Sequence, residues 1–130
     1  RYILLGDETA LPAICSILEK MSVNTRVTVL IEVAHSCDEQ NIRSAASVEI
    51  LWLHREIGFH HGTSSKLEVA ARAIRRPDEN TVVWVAAESS NVKALRRLAL
   101  LEWGVEPARL YAAGYWKRDE ANHKDEEASL

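Results

Sequence analysis

Arg1-Tyr2-Ile3-Leu4-Leu5-Gly6-Asp7-Glu8-Thr9-Ala10-Leu11-Pro12-Ala13-Ile14 is the stretch that decides the fold, because an apolar strand passes through one glycine and three polar residues directly into a helix. A strand-to-helix turn of this kind leaves backbone N–H groups without partners at the positive end of a helix dipole, an arrangement suited to a pyrophosphate. Pro12 agrees with a helix start, since a first-turn proline gives up only a donor that has no intrahelical acceptor. Gly6 stands alone, so the G-x-G-x-x-G fingerprint of dinucleotide folds is missing. Two readings stay open: a phosphate cradle, or an ordinary capped helix after a buried strand.

Outward from that junction, apolar runs alternate with amphipathic stretches, the pattern of a parallel sheet covered on both faces. The expected fold is α/β: three layers around a doubly wound sheet of five parallel strands. Strand one is followed by a helix with Leu11, Ile14, Leu18 and Met21 on one face, fading near Ser22 to Asn24. Strand two, Arg26 to Val33, is nearly continuous in apolar and β-branched residues and is expected at the centre of the sheet. Ala34 to Ser47 reads as a polar crossover with one short turn near Asp38 to Ile42. Strand three is Val48 to His54, followed by the loop Gly58 to Gly62. Ser65 and Glu68 are spaced as a capping box for a helix with Leu67, Ala70, Ala71 and Ile74 inward, stopped by Pro77. Strand four, Thr81 to Ala86, leads into a helix with Val92, Leu95, Leu98 and Leu101 inward and Gly104 at its end. Strand five is Leu110 to Gly114. Residues 1–117 form one domain, and 118–130, a mixed-charge stretch without apolar period, form a polar tail.

Composition narrows the function classes. A chain of 130 residues is long enough to bury about two thirds of its unfolded surface in one core. Its formal net charge of -3 argues against a nucleic-acid partner, which requires a basic surface. The longest apolar runs are strand-sized, so no membrane span is expected. Cys15 and Cys37 form neither a C-x-x-C motif nor a zinc set, and they point to a reducing compartment, by default the cytoplasm. His35, Cys37, His60 and His61 lack metal-ligand spacing and are read as solvated loop residues. The opening at Arg1, straight into a strand, reads as a piece of a longer protein.

In an open parallel sheet, ligands bind outside the carboxyl ends of the strands. The residues at those ends are Gly6 to Thr9, His35, Arg55, Ala87 to Ser90, and Tyr115-Trp116. Thr9 is placed to cap the first helix and to donate its hydroxyl to a phosphate. Arg55 either holds a ribose 2′-phosphate with its planar fork or pairs on the surface with Glu49 or Glu56. Glu88 either hydrogen-bonds an amide or ribose or sits at a helix start where negative charge is favoured. Trp52 and Trp84, inside strands, read as core, and Trp103 ends a helix. Trp116 either stacks on a flat cofactor or closes the end of the sheet. Nucleophile, base and orienting group do not occur together at readable spacing, so no catalytic residue is assigned and hydrolysis is poorly supported. A phosphoacceptor domain would use acids after strand one and a lysine after the last strand, a pattern that Asp7, Glu8 and Lys117 meet only superficially.

Four blocks, Gly6 to Ile14, Trp52-Leu53-His54-Arg55, Trp84-Val85-Ala86-Ala87-Glu88-Ser89-Ser90 with Ala94-Leu95-Arg96-Arg97, and Gly114-Tyr115-Trp116-Lys117, resemble the siderophore-interacting protein family of flavin-dependent ferric-siderophore reductases. The resemblance covers the chain to Lys117 and only the C-terminal half of such enzymes, the NAD(P)H-binding module of the ferredoxin-reductase superfamily. It implies NADPH or NADH as donor, FAD held mainly by an upstream β-barrel domain absent from this sequence, and a ferric siderophore as acceptor, released as Fe(II). By position it assigns Gly6, Asp7, Glu8, Thr9 and Ala10 to the pyrophosphate and nicotinamide end and Arg55 to the adenosine ribose or its phosphate. Ala87, Glu88 and Ser89 become the second nicotinamide wall, and Tyr115 and Trp116 the aromatics near the flavin. Ala87 departs from the family, where glycine is usual, and its methyl is expected to crowd the cofactor. The alternative is a non-catalytic nucleotide-binding or interaction domain, and on either reading this module alone is expected to be inactive.

Overall fold

The computed structural model describes residues 1–55 and 65–117. The loop Gly58 to Gly62, with His60 and His61, and the tail 118–130 lie outside the described residues. Five strands, β1 (Tyr2–Asp7), β2 (Arg26–Val33), β3 (Ser47–His54), β4 (Val82–Glu88) and β5 (Leu110–Trp116), form one parallel sheet in the order β3-β2-β1-β4-β5. The expected class and strand count are therefore observed. β1, not β2, is the middle strand. β2 is nevertheless paired on both sides, which explains its continuous apolar sequence.

Alternation along the strands sorts their side chains onto two faces. One face carries Ile3, Leu5, Leu30, Val83, Val85, Ala87 and Ala112 against α2 (Lys66–Arg72) and α3 (Ser89–Arg97). The other carries Leu4, Val27, Val29, Ile31, Val33 and Ala86 against α1 (Leu11–Glu19), whose Leu11, Ile14 and Leu18 are buried. The crossover after β2 joins this second layer. Its short 3-10 turn falls at Ser36–Asp38, earlier than the sequence suggests, and the Ser44 hydroxyl donates to the Leu18 carbonyl at 2.6 Å. Trp52 and Trp84 are only partly buried, packed against this face rather than within the core, whereas Trp103 is buried.

Helix ends follow their caps. Ser65 accepts from the Glu68 N–H at 3.0 Å and starts α2, and Pro77 lies beyond a helix that already ends at Arg72. α3 continues as one π turn over Leu98–Glu102, where the Trp103 N–H reaches the Leu98 carbonyl at 3.0 Å. The wider turn rotates the residues after it, so Leu101 points outward at 73 % exposure and Leu100 packs on the core instead. Gly104 follows with φ 67°, the left-handed conformation in which helices commonly end. Among the described residues, no helix is long and apolar enough to cross a membrane.

Candidate functional site

α1 leads from β1 outward to β2, whereas α3 leads from β4 outward to β5 on the other side of the sheet. Adjacent strands β1 and β4 thus send their chains in opposite directions, which opens a crevice at their carboxyl ends. Asp7 stands at its floor. It is 1 % exposed, and its carboxylate accepts from the Thr9 N–H at 3.0 Å, the Thr9 hydroxyl, the Glu88 N–H at 3.1 Å and the Trp116 indole N–H at 2.8 Å. One side chain thereby ties the ends of β1, β4 and β5 together. The expected cap is reversed: Asp7, not Thr9, caps the turn Glu8–Ala10 that leads into α1, and Thr9 is a donor to it.

Gly6 acts through packing. It lies within β1, and a Cβ there would come to 3.0 Å from the Ala10 Cβ, the Ala86 carbonyl oxygen and the Ile14 Cδ1. Its missing side chain lets the Glu8–Ala10 turn and α1 sit directly on the sheet. Ala10 fills that contact and is fully buried. Ala87 is also fully buried, and its methyl packs in the core under α2 and α3.

Glu88 and Ser89 are equally internal. The Glu88 carboxylate caps α3, accepting from the Ser90 N–H at 3.1 Å and from the Ser90 hydroxyl, and the Ser89 hydroxyl donates to the Trp116 carbonyl at 3.2 Å. Between β4 and β5 the register slips by one residue, with Ala87 opposite Gly114 and Glu88 opposite Trp116. Beside this slip Tyr115 meets Trp84 edge-on at 6.4 Å, and Trp84 stacks on Tyr111 at 5.7 Å. Every fully buried side-chain polar atom among the described residues has a hydrogen-bond partner.

Beside the crevice, Arg55 follows β3 and is fixed by its own N–H donating to the Val33 carbonyl at 3.0 Å. One terminal nitrogen of its guanidinium meets the two oxygens of Glu8 at 2.7 and 2.6 Å, and the other meets Glu32 at 3.2 Å. Among the described residues its partners are Glu8 and Glu32, not the Glu49 that the sequence suggests, and Glu56 lies outside the described residues. Burial works against the charge on Arg55, yet the hydrogen bonds and attraction to Glu8, then those to Glu32, outweigh it and raise the pKa above the usual arginine value. The group is a permanent cation. Glu32 is the residue that sequence reasoning passes over: it is the register partner of Asp7, is 3 % exposed, and also accepts from the Leu67 N–H at 3.3 Å. A lone acid in an apolar run at the end of a strand is the available signal, since a buried carboxylate must have partners.

The residues assigned from sequence divide into two shells. Gly6, Asp7, Ala10, Ala87, Glu88 and Ser89 are buried and build the crevice, while Glu8, Thr9, Arg55, Tyr115 and Trp116 reach solvent around it. No group of three or more His, Cys, Asp or Glu able to hold a metal occurs among the described residues. Cys15 and Cys37 are both free.

Comparison with known proteins agrees with this architecture. The family model for siderophore-interacting protein matches residues 1–119. The chain belongs to the siderophore-interacting protein family. Among its relatives, the ferric vibriobactin reductase ViuB of Vibrio cholerae is 32% identical over 129 residues, which cover 95% of this chain and 46% of the relative. A ferric acinetobactin reductase of Acinetobacter baumannii is 27% identical over 115 residues, covering 88% of this chain and 39% of that protein. A siderophore utilization protein from T. fusca superposes with a TM-score of 0.83 at 34% identity, covering 94% of this chain and 46% of its own. The siderophore-interacting protein SipS of Aeromonas hydrophila gives a TM-score of 0.79 at 25% identity, with 92% of this chain and 46% of its own covered. This member of the family thus spans less than half the length of the relatives it matches.

Proposed function

We propose that the chain is the nicotinamide-nucleotide-binding part of a ferric-siderophore reductase and that its crevice takes NADH or NADPH. The observation that carries the reading is the ring of solvent-reaching groups, Glu8, Thr9, Arg55, Tyr115 and Trp116, around the crevice between β1 and β4 in a member of the siderophore-interacting protein family. The names of the ferric vibriobactin and acinetobactin reductases supply the substrate class, an iron(III) siderophore.

The exposed edge of the residue 8–10 turn lies at the mouth of the crevice, and Thr9 stands on that edge with its N–H and hydroxyl held by Asp7. Trp116, oriented through its indole N–H on Asp7, offers a ring plane at the β5 side, with Tyr115 beside it. Arg55 and Glu8 occupy the far side, where the adenosine ribose would lie. The nicotinamide supplies a hydride and FAD, assigned to an upstream domain, supplies single-electron transfer to iron. What these residues contribute is binding and orientation: a rigid floor held by Asp7, and a rim that fixes the donor against an aromatic wall. Cytoplasmic action belongs to the same proposal and is supported by the free thiols Cys15 and Cys37.

The test is made on the full-length parent protein. Anaerobic addition of NADH or NADPH is expected to bleach a flavin spectrum, and a ferric siderophore is expected to restore it while an iron(II) chelator develops colour. A parent with no flavin spectrum, or one that neither nucleotide bleaches, would leave the chain a binding or interaction domain.

A further inference from the structure

Arg55 carries the planar cation that a 2′-phosphate would seek in this corner, and two carboxylates already hold it. Glu8 holds one terminal nitrogen through both carboxylate oxygens at 2.7 and 2.6 Å, and Glu32 holds the other at 3.2 Å. Arg55 and Lys66, which donates to the carbonyl of the adjacent His54, balance the two carboxylates when both acids are ionised, so the described residues of the corner have no net positive charge to offer a phosphate. The two acids differ in access. The Glu32 side chain is 4% exposed and is also engaged by the Leu67 N–H, whereas the side chains of Glu8 and Arg55 are 36% and 32% exposed. Glu32 therefore anchors Arg55 from beneath, and Glu8 presents a carboxylate edge to any ligand lying over the corner.

Resting on the proposed nicotinamide site, we infer that Glu8 is a specificity-determining residue that makes the crevice select a free ribose diol, hence NADH, over a 2′-phosphorylated ribose, NADPH. A 2′-hydroxyl can donate to the accessible oxygen of Glu8 without disturbing the Arg55 pair. A phosphomonoester carries between one and two negative charges near neutral pH and offers its oxygens chiefly as acceptors. It must displace Glu8 from Arg55 and leave that carboxylate facing it. Selection works through the repulsive element.

The experiment is calorimetric titration of the 130-residue chain with NAD⁺ and NADP⁺ at low and high salt. Wild type is expected to bind NAD⁺ about tenfold or more tightly than NADP⁺, the equivalent of one charge-assisted hydrogen bond. Salt is expected to narrow that ratio, because exposed charges are screened. Glu8→Gln is isosteric and frees Arg55 from its closest anion. It is expected to tighten NADP⁺ by roughly tenfold while leaving NAD⁺ equal or weaker, and Glu8→Gln with Arg55→Ala is expected to lose that gain. Tighter NADP⁺ binding by the wild type, or an equal change in both affinities on Glu8→Gln, would overturn the inference while leaving the nucleotide site intact. Failure of both nucleotides to bind the wild type would overturn the site and the inference together.

Discussion

Asp7 places two oxygens against the Thr9 N–H and hydroxyl, the Glu88 N–H and the Trp116 indole, all in a position that water hardly reaches. Removing the carboxylate strands donors that have lost their water, at about 1 to 3 kcal/mol for each. Asp7→Ala is therefore expected to lower stability by about 3 kcal/mol or more in chemical denaturation and to change the fluorescence of Trp116, while Asp7→Asn, which keeps an acceptor, loses less. A denaturation midpoint unchanged by Asp7→Ala would contradict the role given to this residue. Gly6 makes the complementary point about space. Since the Ala86 carbonyl belongs to a strand that cannot yield, Gly6→Ala is expected to cost about 1 to 3 kcal/mol by overpacking. Nucleotide affinity should fall with it if α1 is pushed off the sheet. These two residues were legible as a turn signal, and their type was informative. Their division of labour was not, because it depends on Glu88 and Trp116, more than 80 and 100 positions away, meeting the same carboxylate.

Strands buried on both faces announce themselves through runs such as Val27-Thr28-Val29-Leu30-Ile31, and the five parallel strands and the first turns of α1 and α2 were readable for that reason. Strand order was not. A run tells how deeply a strand is buried, and β1 and β2 are both paired on two sides, so the identity of the middle strand depends on where the β3-to-β4 crossover lands. The inward stripe of α3 shows a second limit. A 3.6-residue period places Leu98 and Leu101 on one face, and the π turn over Leu98–Glu102 breaks that period. Leu98→Ala is accordingly expected to cost about 2 to 5 kcal/mol, and Leu101→Ser to stay within about 0.5 kcal/mol. Equal losses in thermal or chemical denaturation would restore the uninterrupted helix.

Across the molecule's described residues, Thr81 is the buried polar residue at one end of the sheet, while Asp7, Glu32, Glu88 and Ser89 are buried at the opposite end, the carboxyl ends of the strands. They form a concentration of satisfied polar groups at the carboxyl ends of strands whose middles are entirely apolar. Such polar investment in a small core is expected where a ligand is positioned. The candidate site residues could be read from sequence as a set of strand ends. Which of them are buried and which reach solvent required the structure, as did the pairing of Arg55 with Glu8 and Glu32. The account turns on nucleotide occupying this end of the sheet. Amide chemical-shift mapping of the isotopically labelled chain during titration with NADH tests it most directly. Shifts are predicted to cluster at residues 7–10, 88–90 and 115–116 and to spare the opposite end at Ser22–Asn24 and Gly104–Pro107; no saturable shifts, or shifts confined to that opposite end, would contradict it.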